Sequence, residues 1–329
     1  YLLEQGQPDT ITDLILKNHG RTGYEAYKLL LTEQDRDVMI CLIERRPVDV
    51  ENTNSRIYQN YLYFRERVLS QELTPEQIYQ SISRLTIVGI VLDRDRGDDP
   101  QLIFESLNST GLDLSKSDLI RNYLLMGLLQ TEQDKIYHHY WHPFEKLFID
   151  TEEEERSDRM DRFFRDYITM KKGSFVKFEN IYDVFKEYSS QNTEFNTIEE
   201  LAEDIHTFGD LYTNIVYEQK HLPVEHMILQ PIWAEIRSLR MEVAHPFLMR
   251  VYRDCLIGRI SMDELAEIAR LTIAYVVRRA VCEIPTNSLS KTFATLKNNI
   301  NYDDYFNSIK AAFYFLDSYK SFPNDEKFS

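Results

Sequence analysis

Glycine and proline are scarce in this sequence, which contains ten of each among 329 residues. Sandwiches and barrels need many tight turns, and such turns draw heavily on these two residues. The scarcity therefore argues against those folds and against long flexible linkers. The content of 43% hydrophobic residues is enough for a large core. No apolar run reaches the roughly 18 residues of a membrane span, so no membrane partner is expected.

The apolar residues follow a helical period along most of the chain. The best strand candidate is "LTIVGIVL", residues 85–92, which is rich in β-branched residues and precedes the turn-rich "DRDRGDDP" at 93–100. We therefore predict a mainly α, multi-helical fold with at most a small β element in the N-terminal third. The polar stretch "SSQNTEFNT", residues 189–197, is the clearest linker. It divides the sequence into domains 1–190 and 191–329.

The stretch "FESLNSTGLDLSKSDLIRNYLL", residues 104–125, allows two interpretations. In the first, Asn108 offers an amide to a ligand, Gly111 permits close approach of the backbone, and the helix that begins after Ser115 adds N–H groups that favour anions. In the second, Gly111 ends one helix and Ser115 with Asp118 caps the next. The residues alone leave both interpretations open.

Four arginines recur every three residues, at Arg156, Arg159, Arg162 and Arg165. Each step lags a full helical turn by about 60°, so they sweep half of a helix surface rather than one stripe. Aspartates lie among them, which favours a solvated, ion-paired face, and contact with DNA phosphate is the alternative. The net charge of −16 argues against nucleic-acid binding by the surface as a whole, but it permits a local basic strip.

Histidines and cysteines do not predict a metal site or a nucleophile. His138, His142 and Glu145 could share one helical face, but Pro143 is expected to interrupt it. The three cysteines lie among apolar residues and make no disulfide or metal pattern, which favours a cytoplasmic protein. We predict no metal ligand and no catalytic residue within the chain itself.

Several segments resemble, in the same order, the GmrSD family of type IV, modification-dependent restriction endonucleases. Residues 104–125 resemble its F-x-x-L-N-x-x-G motif. The earlier segment "KLLLTEQDRDVMICLI" at 28–43 also fits the family. "YVVRRAVCEIPTNSLSKTFATL" at 275–296 resembles a later segment with paired arginines and P-T-N. "SFPNDEKF" at 321–328 resembles the stretch that leads into a C-terminal domain.

The resemblance implies an enzyme that recognises and cleaves modified, often phage, DNA in phage defence. It implies an N-terminal domain of ParB/sulfiredoxin-like fold linked to binding and hydrolysis of GTP or ATP, and an HNH nuclease with a divalent cation. Neither D-G-Q-Q-R nor an HNH histidine set occurs in the chain. We therefore expect the helical middle of such an enzyme, inactive alone. The residues that the resemblance assigns to the nucleotide are Phe104, Asn108, Gly111, Asp118, Arg121 and Asn122.

Two hypotheses follow for the parent protein. The first is a nucleotide-dependent restriction endonuclease in which this chain is the helical core. The second is a non-enzymatic helical scaffold for interaction or homo-oligomerisation, suggested by the charge of −16 and by the lack of a complete active site.

Overall fold

The mainly helical fold predicted from the sequence is confirmed. A computed structural model describes residues 15–31, 33–49, 53–70, 73–87, 89, 103, 114–148, 153–191, 194–217 and 224–328. Within these ranges no strand occurs, and the only β pairing is an isolated antiparallel bridge between Lys17 and Tyr27. Contacts between residues divide the chain into two compact units, Tyr1–Val91 and Leu92–Ser329.

The described residues of the first unit form three α-helices and a short 3-10 turn, Gly23–Ala26. The third helix begins with a reciprocal capping box, in which Thr74 accepts from the Gln77 backbone and Gln77 accepts from the Thr74 backbone. Its helices are α1 (Glu33–Ile43), α2 (Arg56–Leu69) and α3 (Pro75–Ser83).

The strand predicted at residues 85–92 is absent from its described part, which is residues 85–87 and 89. Leu85 is 72% exposed and Ile87 is 91% exposed. A strand requires a neighbouring strand to satisfy its backbone and a core to cover its apolar face. The described residues supply neither at this place, so β-branched composition alone does not produce a strand.

The second unit is an assembly of helices around α7, which packs against α4, α8, α9 and α11. None of the helices in the described ranges combines the length and apolar content needed to cross a membrane. In chain order the helices are α4 (Lys116–Leu125), α5 (Gln130–Ile136), α6 (His142–Lys146), α7 (Glu153–Lys172), α8 (Ile181–Gln191), α9 (Ile198–Val216), α10 (Gln230–Ser238), α11 (His245–Leu256), α12 (Met262–Val281), α13 (Leu289–Leu296), α14 (Tyr305–Tyr314) and α15 (Asp325–Phe328).

An aromatic cluster forms the centre of this unit. The ring of Phe144 lies 5.1 Å from that of Phe163 and 5.6 Å from that of Phe164, centroid to centroid. These rings are fully buried, and offset or edge-on contacts of this kind add to the free energy of burial. Gly209 of α9 lies against the cluster, because a Cβ added there would stand 2.6 Å from Phe144 Cδ2. The absence of a side chain at Gly209 thus lets α9 approach α6 closely.

One hydrophobic core joins helices on both sides of the polar stretch at 189–197. Phe185 of α8 and Leu201 of α9 are both buried members of it. The boundary between the two compact units therefore lies after residue 91 and not after residue 190. The sequence domains 1–190 and 191–329 stay a prediction.

The expected interruption at Pro143 does not occur. A π-helical turn, Tyr137–Trp141, joins α5 to α6, and Pro143 occupies the first turn of α6. Proline is tolerated at the start of a helix because the N–H that it lacks has no partner there in any case. The π-helical turn before Pro143 is wider than an α-helical turn, and such turns occur singly within helices. The chain therefore stays helical across this region.

Candidate functional site

Three of the four regularly spaced arginines, Arg159, Arg162 and Arg165, line one cavity of about 270 Å³ in the second unit. Helix α7 carries the arginines, α9 and its end supply one wall, and a turn with the start of α11 supplies another. Arg156 belongs to the same helix, but its side chain lies outside the described residues. We call this the arginine cavity, and its lining is Asp158, Arg159, Arg162, Arg165, Tyr212, Val216, Tyr217, Glu242 and His245.

Arg162 is the most exposed arginine of the cavity, with 46% of its side chain in solvent. Its Nε donates to Asp158 Oδ2 over 2.9 Å, and its NH1 lies 3.7 Å from Glu242 Oε2. The hydrogen bond to Asp158 is the main reason that the pKa of Arg162 is raised. Ion pairs this exposed contribute about 0–1 kcal/mol, so Arg162 can exchange partners at little cost.

Arg165 is held in a buried group. Its Nε donates to Asp166 Oδ1 over 2.9 Å, and the Nδ1 of His245 lies 3.3 Å from the other oxygen of the same carboxylate. Burial lowers the pKa of Arg165, but the charge of Asp166 and the hydrogen bond to it outweigh burial and leave the pKa raised. Because removing one partner would leave Asp166 buried and poorly compensated, Arg165 is a fixed cation.

Two tyrosines from the end of α9 complete the wall. Tyr212 packs edge-on against His245, with ring centroids 5.7 Å apart. Burial, and then the charge of Asp166, raise the pKa of Tyr212 well above its usual value, so its hydroxyl stays protonated. The Arg159 guanidinium lies over the Tyr217 ring at 4.8 Å, a cation–π contact that orients the half-buried arginine toward the cavity.

Cations and carboxylates are balanced around the cavity. Asp158 and Glu242 pair with Arg162, and the adjoining Asp166 pairs with Arg165. An anion would therefore displace a carboxylate rather than fill a purely positive pocket. The exposed pairs at Arg162 can open for a phosphate, whereas the pair of Arg165 with the buried Asp166 carboxylate cannot.

The predicted residues on α4 lie at a different place in the second unit. Asp118 Oδ1 is 3.0 Å from Arg121 NH2, and Arg121 NH1 is 3.4 Å from Glu145 Oε1. Trp141 Nε1 donates to that Glu145 oxygen over 2.6 Å. Asn122 follows on the same helix and is half-buried. Arg121 is thus oriented by two carboxylates, and one third of its side chain, 33%, remains exposed.

The first N–H groups of α4 are bonded within the protein. Lys116 N donates to Asp161 Oδ2 over 3.0 Å, and Ser117 N donates to Asp161 Oδ1 over 2.6 Å. Asp118 N donates to Ser115 Oγ, as a helix N-cap requires. The Asp161 carboxylate thus accepts from the N–H groups that the first interpretation offered to an anion, and Ser115 caps α4 as the second interpretation described. Burial raises the pKa of Asp161 against these hydrogen bonds, which lower it.

The remaining candidates have simple outcomes. Phe104, Asn108 and Gly111 lie outside the described residues, so their roles stay predictions. His142 Nδ1 is 3.9 Å from Glu145 Oε2, and among the residues with known placement no three His, Cys, Asp or Glu side chains gather as metal ligands would.

The cavity contains residues that the sequence did not single out, namely Tyr212, Tyr217, Glu242 and His245. They come from segments far from α7 in the sequence. Helical periodicity within one element does not show which residues of distant segments meet, so spacing could not have found them.

The fold and this cavity define a mainly helical protein with an ion-paired, arginine-lined site. Residues 9–125 match the family model of the GmrSD restriction endonuclease, N-terminal domain. This part of the chain is therefore a GmrSD N-terminal domain, and the family resemblance seen in the sequence is confirmed. The match includes the F-x-x-L-N-x-x-G motif and ends with α4. No curated protein and no solved structure matches the chain.

Proposed function

We propose that the protein is a nucleotide-dependent restriction endonuclease that cleaves modified phage DNA, and that this chain supplies its helical core. The observation that carries the proposal is the match of residues 9–125 to the N-terminal domain of the GmrSD restriction endonuclease. This match does not favour the alternative of a non-enzymatic scaffold. Homo-oligomerisation and a cytoplasmic location remain part of the proposal.

We assign contact with the DNA backbone to the arginines of α7. Arg162 and Arg159 reach solvent at the arginine cavity, and Arg156 precedes them on the same helix. A DNA phosphate offers oxygens that match the guanidinium fork, and it would replace the exposed carboxylates of Asp158 and Glu242. Arg165 supports this surface from within through Asp166. Such contacts position the duplex without reading its sequence.

We assign the nucleotide, GTP or ATP with a divalent cation, to the F-x-x-L-N-x-x-G motif and α4. Phe104, Asn108 and Gly111 belong to the motif, and Asp118, Arg121 and Asn122 follow it in the family arrangement. Arg121 is the cation of this set. Its guanidinium is held between Asp118 and Glu145 and is partly exposed, which suits a contact with a phosphate oxygen.

The test of the proposal is cleavage by the full-length protein. Glucosylated phage DNA and the same DNA without the modification are incubated with Mg²⁺, with GTP, with ATP and without nucleotide. We expect cleavage of the modified DNA only, and only when one nucleotide is present. A folded protein that cleaves neither DNA under any of these conditions contradicts the proposal.

Asn108 provides a sharper test of the nucleotide assignment. We expect Asn108→Ala to reduce nucleotide-stimulated cleavage at least tenfold, because a lost hydrogen bond to a charged ligand is worth about 1.5–3 kcal/mol. The thermal unfolding temperature should stay that of the wild type. A variant that loses activity only in proportion to lost folded protein would show that Asn108 is a structural corner residue.

A further inference from the structure

A second cavity lies between the start of α13 and the 3-10 turn Ser318–Lys320. Its volume is about 420 Å³, within the range of about 300–1,000 Å³ that is usual for small-ligand sites. We call it the lysine cavity. Its lining is Pro285, Asn287, Ser288, Lys291, Tyr319 and Lys320. Pro285 and Asn287 belong to the P-T-N segment that the sequence singled out and that the proposed function does not use.

The charge of the lysine cavity differs from that of the arginine cavity. Lys291 and Lys320 line it, and no carboxylate occurs among its lining residues. In a protein of net charge −16, two lysines in one cavity without a carboxylate beside them produce a local positive potential. The site therefore favours an anionic ligand.

A third cation lies directly behind the lining. Arg279 is only 1% exposed, and its NH2 donates to Pro285 O over 2.7 Å and to Ser288 Oγ over 3.0 Å. Its NH1 donates to Tyr319 O over 2.8 Å. NH1 also donates to the Tyr275 hydroxyl over 3.3 Å, so all four acceptors are neutral, and the buried Nε has no hydrogen-bond partner within the described part of the chain. The guanidinium charge is thus uncompensated by any carboxylate that the structure pairs with it.

Arg279 also fixes the shape of the cavity. By binding Pro285, Ser288 and Tyr319 it ties the two walls together, and the Tyr275 hydroxyl adds a bond to Lys320 O over 2.8 Å. A site whose walls are held before binding loses less entropy when a ligand enters.

Ser288 and Asn287 add donors to the lysines. The Ser288 hydroxyl has one proton and two lone pairs, and Arg279 uses a lone pair. Its proton can therefore be donated into the cavity that it lines. The exposed Asn287 amide offers further N–H groups at the same wall. Two ammonium groups, a hydroxyl and an amide form a set of donors that matches the oxygens of a phosphate group.

We propose that the lysine cavity binds a phosphate group, carried either by a free nucleotide or by the backbone of a nucleic-acid strand. Lys291 and Lys320 supply the charged contacts, and Ser288 and Asn287 donate hydrogen bonds. Tyr319 is 64% exposed at the rim, where its ring can stack on the base attached to that phosphate. This site is separate from the arginine cavity and does not rest on the proposed function.

The test uses the full-length protein with two probes, ATP and a fluorescent single-stranded DNA oligonucleotide. Binding is measured for the wild type, for the double variant Lys291→Ala/Lys320→Ala, and for Lys310→Ala, an exposed lysine of α14 that serves as the control. We expect the double variant to bind one of the two probes with at least tenfold lower affinity than the wild type. The control variant should bind both probes like the wild type. The unfolding temperature of the double variant should be unchanged, since Lys291 is exposed and Lys320 is half-buried.

The two probes distinguish the two sources of the phosphate. Weakening of ATP binding alone identifies a free nucleotide, and weakening of oligonucleotide binding alone identifies a strand backbone. The proposal is overturned if the double variant binds both probes with wild-type affinity, or if the wild type binds neither. Because the arginine cavity is intact in the double variant, wild-type binding by that variant leaves the assignment of the arginine cavity to DNA unaffected.

Discussion

The three arginines of the arginine cavity differ in what surrounds them. Arg162 keeps 46% of its side chain exposed and is paired with exposed carboxylates, whereas Arg165 is paired with Asp166, which is 3% exposed. Loss of Arg165 would leave a buried carboxylate with only His245 beside it. The same type of residue on the same helix is thus a replaceable contact at one position and a structural cation at another.

Stability measurements should separate these roles. We expect Arg165→Ala to lower the free energy of unfolding by about 2 kcal/mol, below the cost for a fully buried pair because part of Arg165 is exposed. Arg162→Ala should change it by less than about 1 kcal/mol. Urea denaturation of both variants beside the wild type tests this. Equal losses for the two would show that Arg165 is not the fixed cation described above.

Lys297 is expected to make the free energy of unfolding depend on pH. Its Nζ donates to Lys171 O over 2.6 Å, and burial, followed by the charges of Arg250 and Lys171, lowers its pKa to about 8. Because this folded-state pKa is below the ordinary value of 10.5, unfolding takes up a proton between pH 8 and 10.5. The contribution of Lys297 to stability should therefore rise with pH across this window.

The measurement compares the wild type with Lys297→Met by urea denaturation at several pH values in that window. The difference in unfolding free energy should move in favour of the wild type as the pH rises. Taking the difference removes the groups that titrate in both proteins. A difference that is constant with pH would mean that Lys297 titrates normally.

At the scale of helices, local signals at helix ends were reliable. Ser261 and Glu264 form a capping box at the start of α12, and Gly173 follows α7 with a φ of +66°, a conformation that glycine adopts without strain. The interruption expected at Pro143 does not occur, because a π-helical turn precedes the proline and places it in the first turn of α6. The predicted strand at 85–92 failed because strands depend on partners outside their own sequence.

Gly209 shows how two elements constrain each other. Alanine normally stabilises a helix interior by about 1 kcal/mol relative to glycine. At Gly209 the new Cβ would meet Phe144 Cδ2 at 2.6 Å, and Phe144 is fully buried. We expect Gly209→Ala to destabilise the protein by about 1–3 kcal/mol, the usual cost of overpacking. Thermal and urea unfolding report the change.

The control is the same substitution in a Phe144→Leu background. The smaller side chain leaves room for the Cβ, so Gly209→Ala should cost less there than in the wild type. Equal costs in both backgrounds would show that contact with Phe144 is not what requires glycine.

For the whole molecule, the helical class and the GmrSD N-terminal domain were both predictable from the sequence. The arginine cavity was predictable only in part. Helical spacing located Arg159, Arg162 and Arg165 on one element but indicated a spread over half its surface. What gathers them is the packing of α9 and α11 on α7, which brings Tyr217, Glu242 and His245 to the same place. Tertiary packing of this kind is not encoded in the spacing of residues along one helix.

The arginine cavity is tested most directly by the salt dependence of DNA binding. Full-length wild type, Arg162→Ala and Arg270→Ala are titrated with modified duplex DNA over a range of salt concentrations. Arg270 is an exposed arginine of α12 and serves as the matched control. If Arg162 neutralises one phosphate, its loss should reduce the slope of log K against log salt by about 0.9, while Arg270→Ala leaves the slope unchanged. A wild-type slope and affinity for Arg162→Ala would contradict contact between the arginine cavity and DNA.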